Sequence, residues 1–155
     1  MKKKWTVIGI IVAVIVIVCG GVYWNMGHSV AKKIPGNTYL YQSVSKDKTL
    51  YVTFAKSGDR AVVNSDKATA LKAGKSQQDF DKEYKAQSKL TSGNYNAEGG
   101  TLTLAQETKD GKISQWQYNG ILVTSKKFTA HSFTYQIAKA GQGQVKSKTV
   151  FEKIN

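Results

Sequence analysis

The sequence predicts a mainly β fold, a small antiparallel barrel or sandwich with one inserted helix, preceded by a single N-terminal transmembrane helix. The run Thr6–Val22 contains no charged residue. After residue 36 about eight or nine short runs rich in β-branched and aromatic residues alternate with turn residues, the spacing of an all-β domain. We therefore divide the chain into a membrane anchor or signal segment (1–24), a tether (25–36) and an extracytoplasmic β-domain (37–155).

The first 24 residues have the features of a membrane anchor. Three lysines precede an apolar run of 17 residues, which would form a helix of about 25 Å. Trp5 stands at one end of this run and Tyr23 and Trp24 at the other, where aromatic rings prefer the headgroup layers. The positive-inside rule then predicts a single-pass protein in the cell membrane, with a cytoplasmic N-terminus and an extracytoplasmic C-terminal domain.

Two other fates compete with a retained anchor. Ser29-Val30-Ala31 fits the small-residue pattern of a signal-peptide cleavage site, and cleavage near Ala31 would give a secreted protein. Lipidation of Cys19 is the third fate. A bacterial lipoprotein signal has a small residue immediately before its cysteine, whereas the branched Val18 precedes Cys19, which disfavours lipidation. All three fates export the remainder of the chain.

The charge of the chain bears on its partners. The 23 basic residues outnumber the 10 acidic ones, which gives a formal net charge of +13, and Arg60 is the one arginine among them. A lysine-dominated surface favours diffuse attraction to anionic lipid or an anionic envelope polymer. Specific nucleic-acid recognition favours the planar guanidinium instead, so we expect no specific nucleic-acid partner. An exported domain without a cysteine is typical of a Gram-positive bacterial surface more than of a small eukaryotic secreted domain.

The strands follow from alternation of apolar and polar residues. In residues 49–55, Leu50, Val52 and Phe54 alternate with more polar neighbours, the period of a half-buried strand. The predicted strands are 38–44, 49–55, 60–64, 92–96, a run around Leu102 and Leu104, 113–118, 121–124, 127–135 and 146–154. Asp110-Gly111 and Asn119-Gly120 are hairpin signals between them, and residues 140–143 are predicted to form a loop.

Residues 66–90 interrupt this series after the third strand. Glycine and β-branched residues are scarce here, and Phe80 and Tyr84 are four residues apart, so both lie on one face of a helix. We predict one long helix over 77–90 and a short additional helix over 66–73.

Several of these runs together resemble a known family. They are Gly93-Asn94-Tyr95, Gly99-Gly100-Thr101-Leu102-Thr103-Leu104, Asp110-Gly111, the opening Asn37-Thr38-Tyr39 and Val52-Thr53-Phe54, and the closing 150–154. They resemble the strands of small lipocalin-like (calycin-type) domains of membrane-anchored surface proteins in Gram-positive bacteria. The resemblance covers most of residues 37–154, departs at the helical insertion, and implies a small barrel anchored at a bacterial surface, with no shared catalytic residue.

The β-domain offers few residues for catalysis or metal binding. His131 is its one histidine, whereas a zinc site requires three or four converging ligands. A G-x-S-x-G nucleophile motif is absent from the sequence. Asp79 and Asp81, two residues apart on a helix, point about 200° away from each other. We therefore predict no catalytic residue, no metal site and no cofactor, and we expect the protein not to be an enzyme.

Aromatic pairs are the candidate ligand-binding residues. Tyr39 and Tyr41, and likewise Trp116 and Tyr118, are two residues apart and so share one face of a strand. Such side chains form the core and cross-strand pairs of a small barrel, or they line a mouth that holds a small ligand.

The sequence thus favours a non-catalytic, envelope-associated binding domain. Its expected partners are the cell membrane and either a small amphipathic ligand or a component of the cell wall or membrane, including an anionic envelope polymer. The alternative is an immunity, exclusion or inhibitor-type interaction protein that acts at the outer membrane–water boundary.

Overall fold

The computed structural model describes residues 29–43, 45–137 and 141–155, which form a mainly β structure with few helices. The strands are β1 (Thr38–Gln42), β2 (Thr49–Phe54), β3 (Ala61–Asn64), β4 (Thr91–Glu98), β5 (Thr101–Thr108), β6 (Ile113–Asn119), β7 (Leu122–Val123), β8 (Lys127–Ala130), β9 (Ser132–Ile137), β10 (Gly141–Val145) and β11 (Thr149–Lys153). They form two antiparallel sheets, a six-stranded sheet ordered β3-β2-β1-β11-β8-β7 and a five-stranded sheet ordered β10-β9-β6-β5-β4.

Three helices accompany the sheets in the described part of the chain: α1 (Val30–Lys33), α2 (Lys67–Ala73) and α3 (Gln77–Gln87). None of these helices has the length and apolar character needed to span a membrane. The predicted anchor over residues 1–24, with Trp5, Cys19, Tyr23 and Trp24, lies outside the described residues.

The two sheets pack face to face around one core. Alternate residues of each strand point inward, and the core includes Val52, Phe54, Phe128 and Phe151 from the six-stranded sheet. The ring of Phe54 lies 4.8 Å from that of Tyr95 in the other sheet, in an edge-to-face arrangement. The sheets are held together mainly by the burial of these aromatic side chains.

The sheets meet along two lines. Between β3 and β4, Arg60 and Asn94 form an isolated β-bridge, and the Tyr95 N–H donates to the Asp59 carbonyl at 2.6 Å. We call this line the seam. On the other side, β6 continues into β7 and β8 into β9, so both strand pairs pass from one sheet to the other. The hydrogen-bonded ladders do not close into a continuous barrel.

The structure corrects two predictions in this crossing region. Residues 127–135 form two strands of different sheets because the chain bends at His131, whose N–H donates to the Asn119 carbonyl at 3.0 Å. Asn119-Gly120 is not a hairpin turn: β6 pairs with β9 and β7 with β8, so the two strands that flank it do not pair with each other. Gly120 has a φ of +63°, which allows the chain to change sheets here.

The glycine-rich segment predicted as a loop contains a strand. Residues 141–145 form β10, which pairs with β9 over its full length. Gly143 lies opposite Tyr135, and a side chain at this position would meet the Tyr135 hydroxyl at 2.7 Å. The Tyr135 ring therefore packs over Gly143 and fills the space that a side chain at this position would occupy. Asp110-Gly111, by contrast, forms the predicted turn between β5 and β6, with a φ of +76° at Gly111.

The insertion after β3 contains two helices, of which the longer ends earlier than predicted. The side chain of Asp66 caps α2 by accepting from the Thr69 N–H. The Ser76 hydroxyl caps α3 in the same way, and α3 ends at Gln87, before residue 90. The helix α2 covers the outer face of β2, where Thr53 donates to the Ala70 carbonyl at 3.2 Å. Thr53 is therefore buried at a position where alternation alone predicts exposure.

Residues 29–36, which were predicted to be part of the tether, belong to the packed domain. Val30 and Ile34 are both fully buried and form part of the core. The short helix α1 lies next to β4 and β7, and the Gly36 N–H donates to the Phe54 carbonyl at 3.1 Å. Residues before position 37 therefore contribute to the core of the domain.

Candidate functional site: a cavity between the two sheets

An apolar cavity of about 290 Å³ lies between the sheets, at the end opposite α1. Strand β1 shows this arrangement: Tyr39 near its start donates to the Lys33 carbonyl of α1, whereas Tyr41 near its end lines the cavity. The cavity is lined by Tyr41, Ser43, Ser45, Asp47, Lys48, Leu50, Ala61, Val63, Gly93, Asn94, Leu104, Ala105, Gln106, Trp116, Tyr118 and Ile137. Its volume lies at the lower end of the range of small-molecule sites, about 300–1,000 Å³.

Three of the four predicted ligand-binding residues come together at this cavity. Tyr41, Trp116 and Tyr118 all line it. Tyr39 does not, because its ring packs in the core, 4.8 Å from the ring of Phe128 in an edge-to-face contact. Residues on one face of a strand therefore take different roles, depending on how far along the strand each one lies.

Phe151 contacts both cavity tyrosines, which come from opposite sheets. Tyr41 of β1 stacks on Phe151 with ring centroids 4.8 Å apart and planes at 19°. Tyr118 of β6 meets the same ring edge-on at 4.9 Å and 89°. Since Phe151 is itself fully buried, the positions of both tyrosine rings are fixed by core packing.

The buried tyrosines are neutral at physiological pH. Burial raises the pKa of Tyr39 to about 12. Burial raises the pKa of Tyr41 and of Tyr118 further, and for Tyr118 the neighbouring Tyr41 adds to the effect. The hydroxyl groups at the cavity are therefore hydrogen-bond donors and acceptors, and not anions.

The β1–β2 loop forms the polar rim of the cavity. The carboxylate of Asp47 accepts hydrogen bonds from the hydroxyls of Ser45 and Ser43, and these bonds lower the pKa of Asp47. The Ser43 N–H donates to the Lys48 carbonyl at 2.8 Å. Lys46 has a φ of +58°, an uncommon conformation for a side-chain-bearing residue. The loop thus presents hydroxyl groups and one charge of each sign at the mouth.

Sequence reasoning missed most of the apolar wall. Leu50, Val63, Leu104 and Ile137 contribute to it from four different strands. Their inward orientation follows from alternation, since each lies on the core-facing side of its strand. Nothing in the sequence signals that these side chains leave a space between them, because the space depends on how the two sheets diverge.

One wall of the cavity is the seam between β3 and β4. Ala61 and Gly93 line the cavity there, and a side chain at Gly93 would approach the Ala61 carbonyl oxygen to 2.3 Å. Helix α3 covers the seam from outside. The Gln87 amide donates to the Val63 carbonyl at 3.1 Å, and the Arg60 guanidinium lies 5.4 Å from the centre of the Phe80 ring.

Two further concavities differ from this cavity in character. A groove of about 500 Å³ lies on the outer face of the five-stranded sheet and is lined mainly by glutamine and threonine side chains of β6, β9 and β10. It is larger but polar and open, so it offers little apolar surface to a ligand. A space of about 250 Å³ near Lys46 and Lys148 shares Tyr41 and Ser43 with the cavity.

The residues considered for catalysis lie elsewhere. His131 is exposed at the bend between β8 and β9. The Asp79 N–H donates to the capping hydroxyl of Ser76 at 3.0 Å, and Asp81 pairs with Arg60 at 2.7 Å. Within the described residues, no three histidine, cysteine, aspartate or glutamate side chains gather into a potential metal site.

Comparison with known protein families, with curated proteins and with solved structures finds no match to this chain.

Proposed function

We propose that this protein is a non-catalytic binding protein that holds a small amphipathic molecule in the cavity between its two sheets. The observation that carries the proposal is the apolar cavity of about 290 Å³ with Tyr41, Trp116 and Tyr118 in its wall. Apolar walls with a few polar groups at fixed positions are characteristic of ligand sites. A folded core of this size would otherwise close such a space, because voids cost stability.

We also propose that the β-domain is related to the lipocalin-like (calycin-type) domains. Counted around both sheets, the strands follow in the order β1, β2, β3, then across the seam β4, β5 and β6, which continues into β7. Next come β9 and β8, then β10 beside β9 and β11 beside β8, and β11 pairs with β1. This is close to the sequential order of an up-and-down barrel. It supports the resemblance to lipocalin-like surface domains without depending on any single motif.

The proposal also places the domain at the outer face of a bacterial cell membrane. The basic start, the apolar run to Val22 and the flanking Trp5, Tyr23 and Trp24 support an anchor there. Only residues 25–28 separate Trp24 from Ser29, the first described residue, so the two are at most about 18 Å apart. Since α1 lies at the end opposite the cavity, the mouth would face away from the membrane.

Retention of the N-terminal segment agrees better with the packing than cleavage does. Cleavage near Ala31 would remove Val30, which is fully buried in the core. The loss of a buried valine side chain costs about 1.5–3 kcal/mol of hydrophobic stabilisation. We therefore propose a retained anchor. The mass of the protein extracted from its host membrane tests this: the mass of the intact chain supports the anchor, and loss of the N-terminal segment contradicts it.

The rival function, an immunity, exclusion or inhibitor-type interaction protein, draws on a different observation. The large apolar side chains of Leu90 and Ile113 are exposed to 76% and 55%, and both lie near the same end of the five-stranded sheet. Exposed apolar side chains that cluster indicate contact with a partner. The substitutions Leu90→Ser and Ile113→Ser would then abolish the biological activity while ligand binding in the cavity persists.

Ligand binding is tested with the full chain and an uncharged fluorescent probe, a dimethylaminonaphthalene that carries a propyl group (the propyl probe). We expect saturable binding to the unmodified protein. Leu50→Trp places an indole in the cavity and should abolish binding. Tyr51→Trp changes the adjacent residue on the opposite face of the same strand and should leave binding intact. Equal binding by both variants would refute the cavity as the site.

A further inference from the structure

Two tyrosine hydroxyl groups at the cavity have no hydrogen-bond partner within the described protein, although the side chains that carry them are largely buried. Tyr41 is 7% exposed and Tyr118 is 3% exposed. Neither hydroxyl makes a hydrogen bond to any other described residue, whereas the Tyr39 hydroxyl donates to the Lys33 carbonyl and the Tyr95 hydroxyl to the Ala55 carbonyl. Among these four buried tyrosines, only the two that line the cavity lack a protein partner.

Such groups need an external partner. When a ligand fills the cavity and displaces water, it must hydrogen-bond these hydroxyls, because an enclosed polar group left without a partner costs about 1–3 kcal/mol. The Tyr41 and Tyr118 hydroxyls are not among the fully buried polar atoms without a partner, and both side chains line the cavity, so a molecule in the cavity, either water or a ligand, supplies that partner. Tyr41 stacks on Phe151 and Tyr118 meets it edge-on, so one ring positions two donors that come from opposite sheets.

The charges around the cavity restrict the partner. Among the described residues that line it, the ionised side chains are Asp47 and Lys48, both exposed in the loop at the rim. The described residues of the remaining wall carry no ionised group, so a carboxylate or phosphate held by the tyrosines would lie among uncharged side chains, at a large desolvation cost. An uncharged acceptor carries no such penalty.

We infer that the cavity selects an apolar ligand with an uncharged carbonyl group, as in an ester, a ketone or a quinone, whose oxygen accepts from the Tyr41 and Tyr118 hydroxyls. A carbonyl oxygen has two lone pairs and accepts two hydrogen bonds. The apolar body of the ligand lies against Leu50, Leu104 and Trp116. This inference rests on the proposed binding function and specifies the chemical class of its ligand.

The test compares the propyl probe with the same dimethylaminonaphthalene carrying a propionyl group (the propionyl probe), which differs in one carbonyl. Both are titrated into the full chain, and the Leu50→Trp variant provides the background of probe bound outside the cavity. We expect the propionyl probe to bind about tenfold more tightly, as for one or two hydrogen bonds. Tyr41→Phe and Tyr118→Phe should each remove most of this preference and shift the emission of the bound propionyl probe to shorter wavelength.

The matched control is Tyr95→Phe, which removes a buried hydroxyl away from the cavity and should leave the preference unchanged. Thermal unfolding shows which variants fold, and Tyr41→Phe alone suffices if Tyr118→Phe does not. Equal affinity for the two probes, or an unchanged preference in Tyr41→Phe, overturns the inference. Tighter binding of the corresponding naphthoate anion also overturns it. If neither probe binds, the proposed function fails as well. If both probes bind with equal affinity, only the preference for a carbonyl group is refuted and the proposed function stands.

Discussion

Arg60 donates to the carboxylate of Asp81 at 2.7 Å and thereby joins the start of β3 to the middle of α3. The same guanidinium lies 5.1 Å from the centre of the Tyr84 ring, and Arg60 forms the bridge to Asn94 across the seam. The single arginine of a lysine-rich chain thus lies where two strands and a helix meet. A planar cation that stacks and donates at once suits this position better than an ammonium group.

Arg60→Lys should destabilise the protein although the charge is retained. The ammonium group cannot stack on Phe80 and Tyr84 while it donates to Asp81, and loss of the cation–π contacts costs about 1 kcal/mol. Urea unfolding monitored by circular dichroism measures the change. The control is Lys82→Ala on an exposed position of α3, which should change the free energy of unfolding by less than about 0.5 kcal/mol. Equal effects of both substitutions would show that Arg60 acts only as a surface charge.

Stability should fall in acid through three aspartates. Hydrogen bonds from Thr69 lower the pKa of Asp66, and those from Gln77 and Arg60 lower the pKa of Asp81, below the usual 3.8. Asp47 behaves likewise. The stabilisation is therefore fully present above the unfolded-state pKa and is lost as the pH falls through the folded-state values. We expect the unfolding midpoint in urea to drop below about pH 4, and Asp81→Asn to flatten this dependence; an unchanged slope contradicts the assignment for Asp81.

Gly93→Ala should open the seam. A methyl group at this position would meet the Ala61 carbonyl oxygen at 2.3 Å, and the rigid backbone on the other side leaves little room for adjustment. Overpacking of this kind costs about 1–3 kcal/mol. Hydrogen exchange should show faster exchange of the Tyr95 N–H, which donates across the seam. Asn96→Ala, at an exposed position of the same strand, is the control, and protection of Tyr95 equal in both variants would contradict this account.

Phe151→Leu should affect both stability and the cavity. The Phe151 ring stacks on Phe128 at 4.3 Å and supports Tyr41 and Tyr118. Loss of these aromatic contacts costs about 1–3 kcal/mol, in addition to any cavity that remains. We also expect weaker binding of the propyl probe, because the two tyrosines lose their support. Val150→Ala, at the more exposed adjacent residue, should change neither quantity, and a Phe151→Leu variant with unaltered probe affinity would show that the tyrosines are held by other contacts.

Ile34→Ala should destabilise the domain as a core substitution does. Ile34 is fully buried at the end of the core closed by α1, so its truncation costs about 2–5 kcal/mol. Lys33→Ala changes an exposed neighbour and serves as the control. Thermal unfolding of the two variants tests whether residues 29–36 are a structural part of the domain. Equal unfolding midpoints would show that this segment is a tether that does not stabilise the domain.

Local patterns in the sequence predicted much of the fold. The β class and the turn at Asp110-Gly111 follow from alternation and turn residues, and the helical insertion follows from its scarcity of glycine and β-branched residues and from the spacing of Phe80 and Tyr84. The strand β10 did not, because Gly141-Gln142-Gly143 carries the composition of a loop and becomes a strand only beside β9, where Tyr135 covers Gly143. The break at His131 was also missed, since both halves have strand composition and only pairing assigns them to different sheets.

Because side chains alternate with a period of two, the sequence alone places Tyr39 with Tyr41, and Trp116 with Tyr118, on one face of a strand. Which of these side chains come together depends on the packing of the two sheets. Tyr39 lies near α1 and is sealed in the core, whereas Tyr41 and Tyr118 lie where the sheets leave a space. The position of a cavity depends on the distance between two sheets, a non-local quantity that no pattern within a single strand encodes.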